Sequence, residues 1–269
     1  MTMRTRKRFG QHFLEAVWAD KVVDAIAPAP DDLFLEIGPG SGILTLRLAP
    51  RVSRLIAVEI DRDLAAGLAP KLPANVTLVE GDVLDTDIDA ALDAARAPGA
   101  LRVAGNLPYN ISSPILFRLL DLASHRAVID ATLMLQREVA DRIVARPGTP
   151  EYGVLSVLTQ WRADVTRLLA IPPGAFRPPP EVRSALIRLA FRPPAFRLSD
   201  PQLFERMVRR MFTQRRKTLL NALTSFAAET GAQAGDVLAA AGIDPRRRAE
   251  TLEVVEIARL ADLFAAAKT

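Results

Sequence analysis

Four consecutive residues at the end of an apolar run, Asn106-Leu107-Pro108-Tyr109, have the side chains needed to act on an aromatic amine. Such an amine is a poor nucleophile because its lone pair is delocalised into the ring. The Asn106 side-chain oxygen and the backbone carbonyl of Leu107 or Pro108 could accept both amino hydrogens and direct the lone pair at an electrophile. Pro108 stiffens the turn, and Tyr109 could stack on a base turned out of its helix. The alternative is a loop of turn residues with a buried tyrosine.

A glycine-rich turn, Glu36 to Gly42 in "EIGPGSG", follows the first apolar run of the chain. Glycines at the carboxyl end of a strand let a ligand approach the backbone closely, so Gly38 and Gly40 are candidate cofactor contacts. A dinucleotide fingerprint requires a further glycine at position 43, where this chain has Ile43. The spacing therefore disfavours a pyrophosphate ligand.

Two carboxylates follow the next two apolar runs. Glu59 of "AVEID" is placed to accept hydrogen bonds from both hydroxyls of a ribose, and Asp82 of "VEGDV" is suited to accept one from an adenine amino group. Each of them alone is typical of a surface turn. Three such features at successive strand ends instead outline an adenosine without phosphates, and S-adenosylmethionine is the common cofactor of that shape.

Short apolar runs alternate with helical patterns through the first part of the chain, as in a parallel α/β sheet. The predicted strands are 33–38, 54–60, 76–81, 101–106 and 131–136. Two further runs, 164–171 and 183–191, have no helix between them and predict an antiparallel hairpin at the edge of the sheet.

A proline-rich linker over 192–201 separates these strands from sequence that is helical to the end. The sequence therefore predicts a large first domain, 1–195, with a basic N-terminal tail. It predicts a second domain, 196–269, that is small, helical and basic.

Composition restricts the chemistry. The 269 residues include no cysteine and two histidines, which excludes disulfides and thiolate metal sites and disfavours an imidazole metal site. The N-terminus is basic but has no apolar segment behind it, and no eighteen apolar residues run together. These features predict no metal, no membrane span and a cytoplasmic location.

The net charge of +4 is unevenly distributed, because both ends of the chain are basic and the middle is acidic. This distribution is expected of a nucleic-acid binder, although a solubilising surface is the alternative. On a helix, Arg206, Arg209 and Arg210 would share one face, while Met207 and Met211 would point toward the core. The candidate RNA contacts are Arg4, Arg6, Lys7, Arg8, Arg206, Arg209, Arg210, Arg215, Arg216 and Lys217.

Motifs along nearly the whole chain together resemble one family, the bacterial small-subunit ribosomal RNA adenine dimethyltransferases. They include "RKRFGQHFL", "EIGPGSG", "AVEIDRDL", "GNLPYNISSPIL", "QREVADRIVARPG", "AFRPPPEVRSALIRL", "FTQRRKTLLNAL" and "GIDPRRRAETL". The resemblance implies a Rossmann-like α/β S-adenosylmethionine-dependent methyltransferase domain followed by a small C-terminal α-helical domain that binds RNA. It implies transfer of methyl groups to the N6 amines of two adjacent adenosines in a hairpin near the 3′ end of 16S rRNA, giving N6,N6-dimethyladenosine. The expected partner is the immature 30S subunit, and the expected enzyme is a monomer.

The resemblance also assigns roles to particular residues. It implies that Phe176 of "AFRPPP" is a second stacking surface near Tyr109. His12 stands where the family often has asparagine. The implied cofactor contacts are His12, Leu14, Gly38, Glu59, Asp82 and Asn106.

Three other functions remain alternatives at this stage. Ribosomal RNA adenine methyltransferases that confer macrolide resistance share an "NLPY"-like motif but act on large-subunit RNA; the basic helical tail favours the small-subunit family. A ribosome-assembly factor could bind RNA with catalysis secondary, and the intact motifs favour retained catalysis. A nicotinamide oxidoreductase is disfavoured by the glycine spacing.

Overall fold

The structure is a computed structural model that describes residues 12–95, 99–194 and 197–267. Its contacts divide the chain into two compact units. The sheet unit consists of the described residues up to Ala140 together with Asp164–Phe191. The helical unit consists of Asp141–Ala163 together with the described residues from Arg192 onward.

The helices and strands follow the alternation that the sequence predicts. In chain order they are β1 (Phe13–Leu14), α1 (Ala16–Ile26), β2 (Leu33–Ile37), α2 (Thr45–Leu48), β3 (Arg54–Glu59), α3 (Arg62–Leu68), β4 (Val76–Glu80), α4 (Ile88–Ala94), β5 (Leu101–Asn106), α5 (Ser112–His125), β6 (Val128–Gln136), α6 (Arg137–Val144), α7 (Val154–Arg162), β7 (Ala163–Ile171), β8 (Phe176–Arg177), β9 (Ser184–Phe191), α8 (Pro201–Thr213), α9 (Leu219–Thr230), α10 (Ala234–Ala240) and α11 (Val254–Ala267).

Within the described residues, a seven-stranded sheet has the order β4-β3-β2-β5-β6-β9-β7. The pairs from β4 through β6 are parallel, and β9 is antiparallel to β6. All five predicted central strands are confirmed, and the two remaining predicted strands are neighbours at one edge, as expected. The chain leaves β2 in one direction through β3 and β4 and then returns to its other side as β5. Ligands bind where strand order reverses in this way, at the carboxyl ends of β2 and β5.

Burial explains why these segments form strands and helices. Every residue of β2 is buried, as expected for a parallel strand covered on both faces. Helix α1 buries Ala19, Val22, Val23 and Ile26, a spacing that places one apolar stripe against the sheet. Among the described residues, no helix combines the length and the apolar character needed to cross a bilayer.

The helical unit differs from the sequence-based division at its boundary, which is Arg192 instead of 196, and over one further segment. Residues 141–163, expected in the first domain, group with the helices beyond Arg192. The reason is packing: Trp161 of α7 lies 5.5 Å, centroid to centroid, from Phe204 of α8, and both side chains are buried. Helix α8 begins at the expected linker, where the Asp200 carboxylate accepts a hydrogen bond from the Leu203 amide at 2.8 Å.

Candidate active site

A pocket lies at the carboxyl ends of β2, β3 and β5 in the sheet unit. Nine of the candidate residues line it, so the structure brings the glycine turn, one of the two predicted carboxylates and the Asn-Leu-Pro-Tyr segment together. These nine are His12, Leu14, Gly38, Gly40, Glu59, Asn106, Leu107, Pro108 and Tyr109.

The glycine turn and Glu59 form one wall of this pocket. Gly40 has φ 57°, a left-handed conformation that favours glycine, and its amide donates to Glu59 Oε2 at 2.8 Å. The Asp61 amide donates to Glu59 Oε1 at 2.9 Å, so the carboxylate is fixed between β3 and the start of α3. Burial raises the pKa of Glu59, and the two amides oppose that rise. Each carboxylate oxygen keeps a further lone pair for a ligand hydroxyl.

Asn106 forms the opposite wall. The preceding residue, Gly105, lies so close to β2 that a Cβ atom there would sit 2.9 Å from the Ile37 carbonyl oxygen. The Asn106 amide nitrogen donates to the His12 carbonyl at 3.0 Å. This bond fixes the side chain with its oxygen left as the acceptor, which is the role the sequence predicts.

Tyr109 is held at both ends of its side chain. Its hydroxyl lies 2.6 Å from Ser184 Oγ at the start of β9, and its ring stacks against His12 with 5.6 Å between centroids and 28° between planes. Burial raises the pKa of Tyr109, while the bond to Ser184 opposes that rise. The His12 ring in turn bonds the Pro178 carbonyl through Nδ1 at 2.8 Å. A half-buried, immobilised aromatic ring thus lines the pocket.

Phe176 lies outside the pocket lining, and its predicted stacking role stays a prediction. Its side chain is fully buried in a core cluster, and β8 places it opposite Leu14 in a short antiparallel pair with β1. Phe176 does not line the pocket, so its ring offers no face on which a base could stack in this structure. It instead supports Leu14, which does line the pocket.

Asp82 follows β4 at the same end of the sheet, since Glu59 pairs with Glu80 and the Gly81 amide bonds the Glu59 carbonyl at 2.9 Å. Its Oδ1 accepts the Leu84 amide at 2.9 Å, which closes a local turn. The side chain does not line the pocket, and its contact with a cofactor stays a prediction.

Glu36 is a pocket residue that the sequence analysis did not select. It is 1% exposed, lines the pocket, and its Oε2 has no hydrogen-bond partner among the described residues. Burial raises the pKa of Glu36 to about 7. A signal was present: a carboxylate in an otherwise apolar strand, next to the glycine turn, is costly to bury without a function.

We expect Glu36 to make the fold less stable as the pH rises. The folded protein keeps this proton up to about pH 7, whereas the unfolded chain releases it near 4.5, so stability falls between these values. The full cost is about 3 kcal/mol above pH 7. Glu36→Gln has no proton to lose and so removes this cost. In urea denaturation, the free energy of unfolding of the variant relative to wild type should therefore rise by about 3 kcal/mol between about pH 4.5 and pH 8. Parallel pH profiles for the two proteins would contradict this.

The candidate RNA contacts divide into two groups. Arg4, Arg6, Lys7 and Arg8 lie outside the described residues. The others lie on α8 and just after it, and we call them the helical basic patch: Arg206, Arg209, Arg210, Arg215, Arg216 and Lys217. Met207 and Met211 of α8 are fully buried, as predicted, so the basic side chains occupy the outer face.

Arg215 has partners inside the helical unit, and its RNA contact stays a prediction. Its Nη2 donates to the Pro150 carbonyl at 2.8 Å and its Nε lies 3.3 Å from Glu250, so its guanidinium is used inside the helical unit. Arg209 pairs with Glu205 at 2.6 Å in an exposed pair, which is weak enough to exchange for a phosphate. Arg206, Arg216 and Lys217 are exposed and have no ion-pair partner in the described parts of the chain.

Comparisons with known proteins identify the family of this chain. The sequence profile described as "Ribosomal RNA adenine dimethylase" matches residues 2–265. "Ribosomal RNA small subunit methyltransferase A" of Anaeromyxobacter sp. (strain K) is 48% identical over 96% of this chain and 93% of its own length. The protein of the same name from Syntrophotalea carbinolica is 47% identical over 98% of both chains.

Solved structures give the same fold. A dimethyladenosine transferase from Plasmodium falciparum is 24% identical, with TM-score 0.75 over 93% of this chain and 96% of that one. The 23S rRNA methyltransferase ErmE is 26% identical, with TM-score 0.68 over 94% and 99%. The predicted Rossmann-like methyltransferase fold and the predicted enzyme class, an S-adenosylmethionine-dependent rRNA adenine dimethyltransferase, are confirmed. The chain belongs to the ribosomal RNA adenine dimethylase family.

Proposed function

We propose that this enzyme transfers methyl groups from S-adenosylmethionine to the N6 amines of two adjacent adenosines in a hairpin near the 3′ end of 16S rRNA. The product is N6,N6-dimethyladenosine, and the reaction is a step in assembly of the small subunit. The observation that carries the proposal is the Asn106 amide, whose nitrogen is bound to the His12 carbonyl and whose oxygen remains free to accept, beside the ring of Tyr109.

The residues of the pocket fit an adenosine-containing sulfonium cofactor. Glu59 has lone pairs for two ribose hydroxyls, and Gly38 and Gly40 let the ligand lie against the backbone. The partnerless oxygen of Glu36 would accept a hydrogen bond from a cationic group of the cofactor. When bound, S-adenosylmethionine supplies an electrophilic methyl group.

The Asn-Leu-Pro-Tyr segment would activate the adenine amine without a general base. Two acceptors would bind the two amino hydrogens, which favours a pyramidal nitrogen. Its lone pair would then be withdrawn from the ring and directed at the methyl group. Asn106 Oδ1 is one acceptor. The Pro108 carbonyl already accepts the Ile111 amide at 3.2 Å, which favours the Leu107 carbonyl as the second. Once the methyl is transferred, the nitrogen loses its proton to solvent.

Tyr109 would hold the base in this position. Adenosine in an RNA hairpin is stacked on its neighbours, and the nitrogen is reached only when the base turns outward. The Tyr109 ring, already held by Ser184 and His12, would offer a stacking face to that base with little further loss of side-chain freedom.

The test uses wild-type enzyme, tritiated S-adenosylmethionine and small subunits from cells that lack the modification. We expect label in two adjacent adenosines near the 3′ end of 16S rRNA, and no label with Asn106→Ala run in parallel to exclude a contaminating enzyme. Label in 23S rRNA would instead favour methylation of large-subunit RNA, the activity for which ErmE is named. No labelled adenosine in either RNA would refute the proposal.

Loss of the Glu59 carboxylate should weaken binding of the cofactor. Glu59→Ala is expected to reduce S-adenosylmethionine binding by roughly 1.5 to 3 kcal/mol, the range for a hydrogen bond to a charged group. Glu59→Gln, which keeps one acceptor oxygen for the same backbone amides, should lose less. Calorimetry on folded variants measures both. Unchanged affinity in Glu59→Ala, or tighter binding of NAD by wild type, would remove this assignment.

The helical basic patch should contribute to RNA affinity through phosphates. Replacing Arg206, Arg216 and Lys217 with alanine should lower the log-log salt slope of subunit binding by about 2 to 3, since each neutralised phosphate adds about 0.7 to 0.9. Arg246→Ala is the control in the same unit, because it removes a positive charge outside the patch whose guanidinium already binds both oxygens of Asp244. If the triple variant keeps the wild-type slope, the patch faces solvent.

A further inference from the structure

A second depression in the sheet unit carries three arginines and no assigned role. It encloses about 330 Å³ and lies at the edge of the sheet, where β6, β7 and β9 meet. We call it the arginine groove. Its lining includes Arg137, Arg167, Arg183 and Ser184.

The strands bring the backbones of the three arginines to one edge of the sheet. Gln136 at the end of β6 is opposite Ser184 at the start of β9, and the Arg137 amide donates to the Arg183 carbonyl at 2.9 Å. Arg167 lies on the edge strand β7. All three arginines are exposed, and within the described parts of the chain the Arg183 guanidinium has no hydrogen-bond or ion-pair partner.

The arginine groove is joined to the active site by one hydrogen bond. Ser184 lines the groove, and its Oγ lies 2.6 Å from the hydroxyl of Tyr109, which lines the pocket. The groove therefore begins one side chain away from the ring that would hold the target base.

The charge of the groove favours an anion. Among the described residues that line it, the charged side chains are the three arginines. The nearest acids along the chain, Glu138, Asp164 and Glu181, are not part of its lining. Guanidinium groups match phosphate oxygens in a fixed, two-pronged geometry, which makes phosphate the preferred ligand.

We propose that the arginine groove binds phosphates of the RNA strand immediately next to the target adenosine. This rests on the proposed function, because a base turned out about its own backbone leaves its flanking phosphates beside Tyr109. Contacts there fix the strand on the enzyme while the base enters the pocket. They act separately from the helical basic patch, which belongs to the other unit.

The experiment compares Arg183→Ala with Arg51→Ala, which removes the same charge at the amino ends of the strands. Arg183→Ala should lower the salt slope of subunit binding by about 0.7 to 0.9, and alanine at all three groove arginines should lower it further. KM for the subunit should rise about tenfold for Arg183→Ala, with kcat and S-adenosylmethionine affinity within about twofold of wild type. Arg183→Lys, which keeps the charge, should restore the slope.

Each outcome bears on one proposal. Wild-type slopes in both the single and the triple variants, with wild type still methylating adenosine, overturn the arginine groove as a phosphate site and leave the proposed function intact. A wild type that labels no adenosine overturns the proposed function. Because Arg183 is exposed and without a partner, its replacement leaves folding unchanged, which thermal unfolding verifies.

Discussion

Tyr109→Ala should lower the rate of methyl transfer about 100-fold while leaving affinity for the small subunit within about threefold of wild type. Stacking on an aromatic ring is worth about 1 to 3 kcal/mol per base, and here it is realised mainly when the base has left its helix. We propose that most RNA contacts lie on the helical basic patch and the arginine groove, so binding of the subunit should barely depend on this ring. Single-turnover rates and filter binding measure the two quantities.

Two matched variants separate the ring from its hydroxyl. Tyr109→Phe keeps the stacking face and leaves Ser184 Oγ without its partner, a loss of about 1 kcal/mol that should slow transfer less than tenfold. Ser184→Ala removes the other end of the same bond and should behave alike. Near wild-type transfer by a folded Tyr109→Ala would exclude the stacking role.

Much of the pocket is predictable because its residues lie at strand ends. Gly38 and Asn106 follow apolar runs that are buried on both faces, and the return of the chain from β4 to β5 places both at the point where strand order reverses. Glu59 is on the neighbouring strand at the same level. Local sequence fixes each position, and parallel pairing brings the positions together.

The surroundings of two predicted site residues depend on contacts between distant parts of the chain. Phe176 is buried because β8 pairs with Leu14 of β1, and Arg215 is used internally because Glu250 and Pro150 lie beside it. Neither contact leaves a local pattern. Glu36 was visible as a carboxylate in an apolar strand, but only the fold shows that one of its oxygens lacks a partner.

The start of β5 gives the second large effect that we expect. Arg102 is buried, and all five of its N–H groups have acceptors: Asp130 binds Nε and Nη2 at 2.9 and 2.8 Å, and Asp32 binds Nη1 at 2.7 Å. The two remaining hydrogens go to the carbonyls of Ile26 and Ala27, which end α1 and have no helical partner. One guanidinium thus joins the end of α1 to β5, to β6 and to the residue before β2.

Arg102→Met should therefore destabilise the fold by about 3 to 5 kcal/mol, because the buried Asp130 carboxylate loses its two short hydrogen bonds, and Asp32 and the Ala27 carbonyl lose the guanidinium as a donor. Thermal unfolding should show a midpoint about 10 °C lower. Arg51→Ala, which breaks only the exposed pair with Asp24, should cost less than about 1 kcal/mol. Arg102→Lys keeps the charge but has three donors and no planar fork, so it should recover only part of the loss. An Arg102→Met protein with stability within about 1 kcal/mol of wild type would contradict this prediction. It would mean that Arg188, whose Nε lies 3.6 Å from Asp130, is a sufficient partner for that carboxylate. It would also mean that the Arg188 bonds to the carbonyls of Ala25 and Ile26 are enough to hold the end of α1.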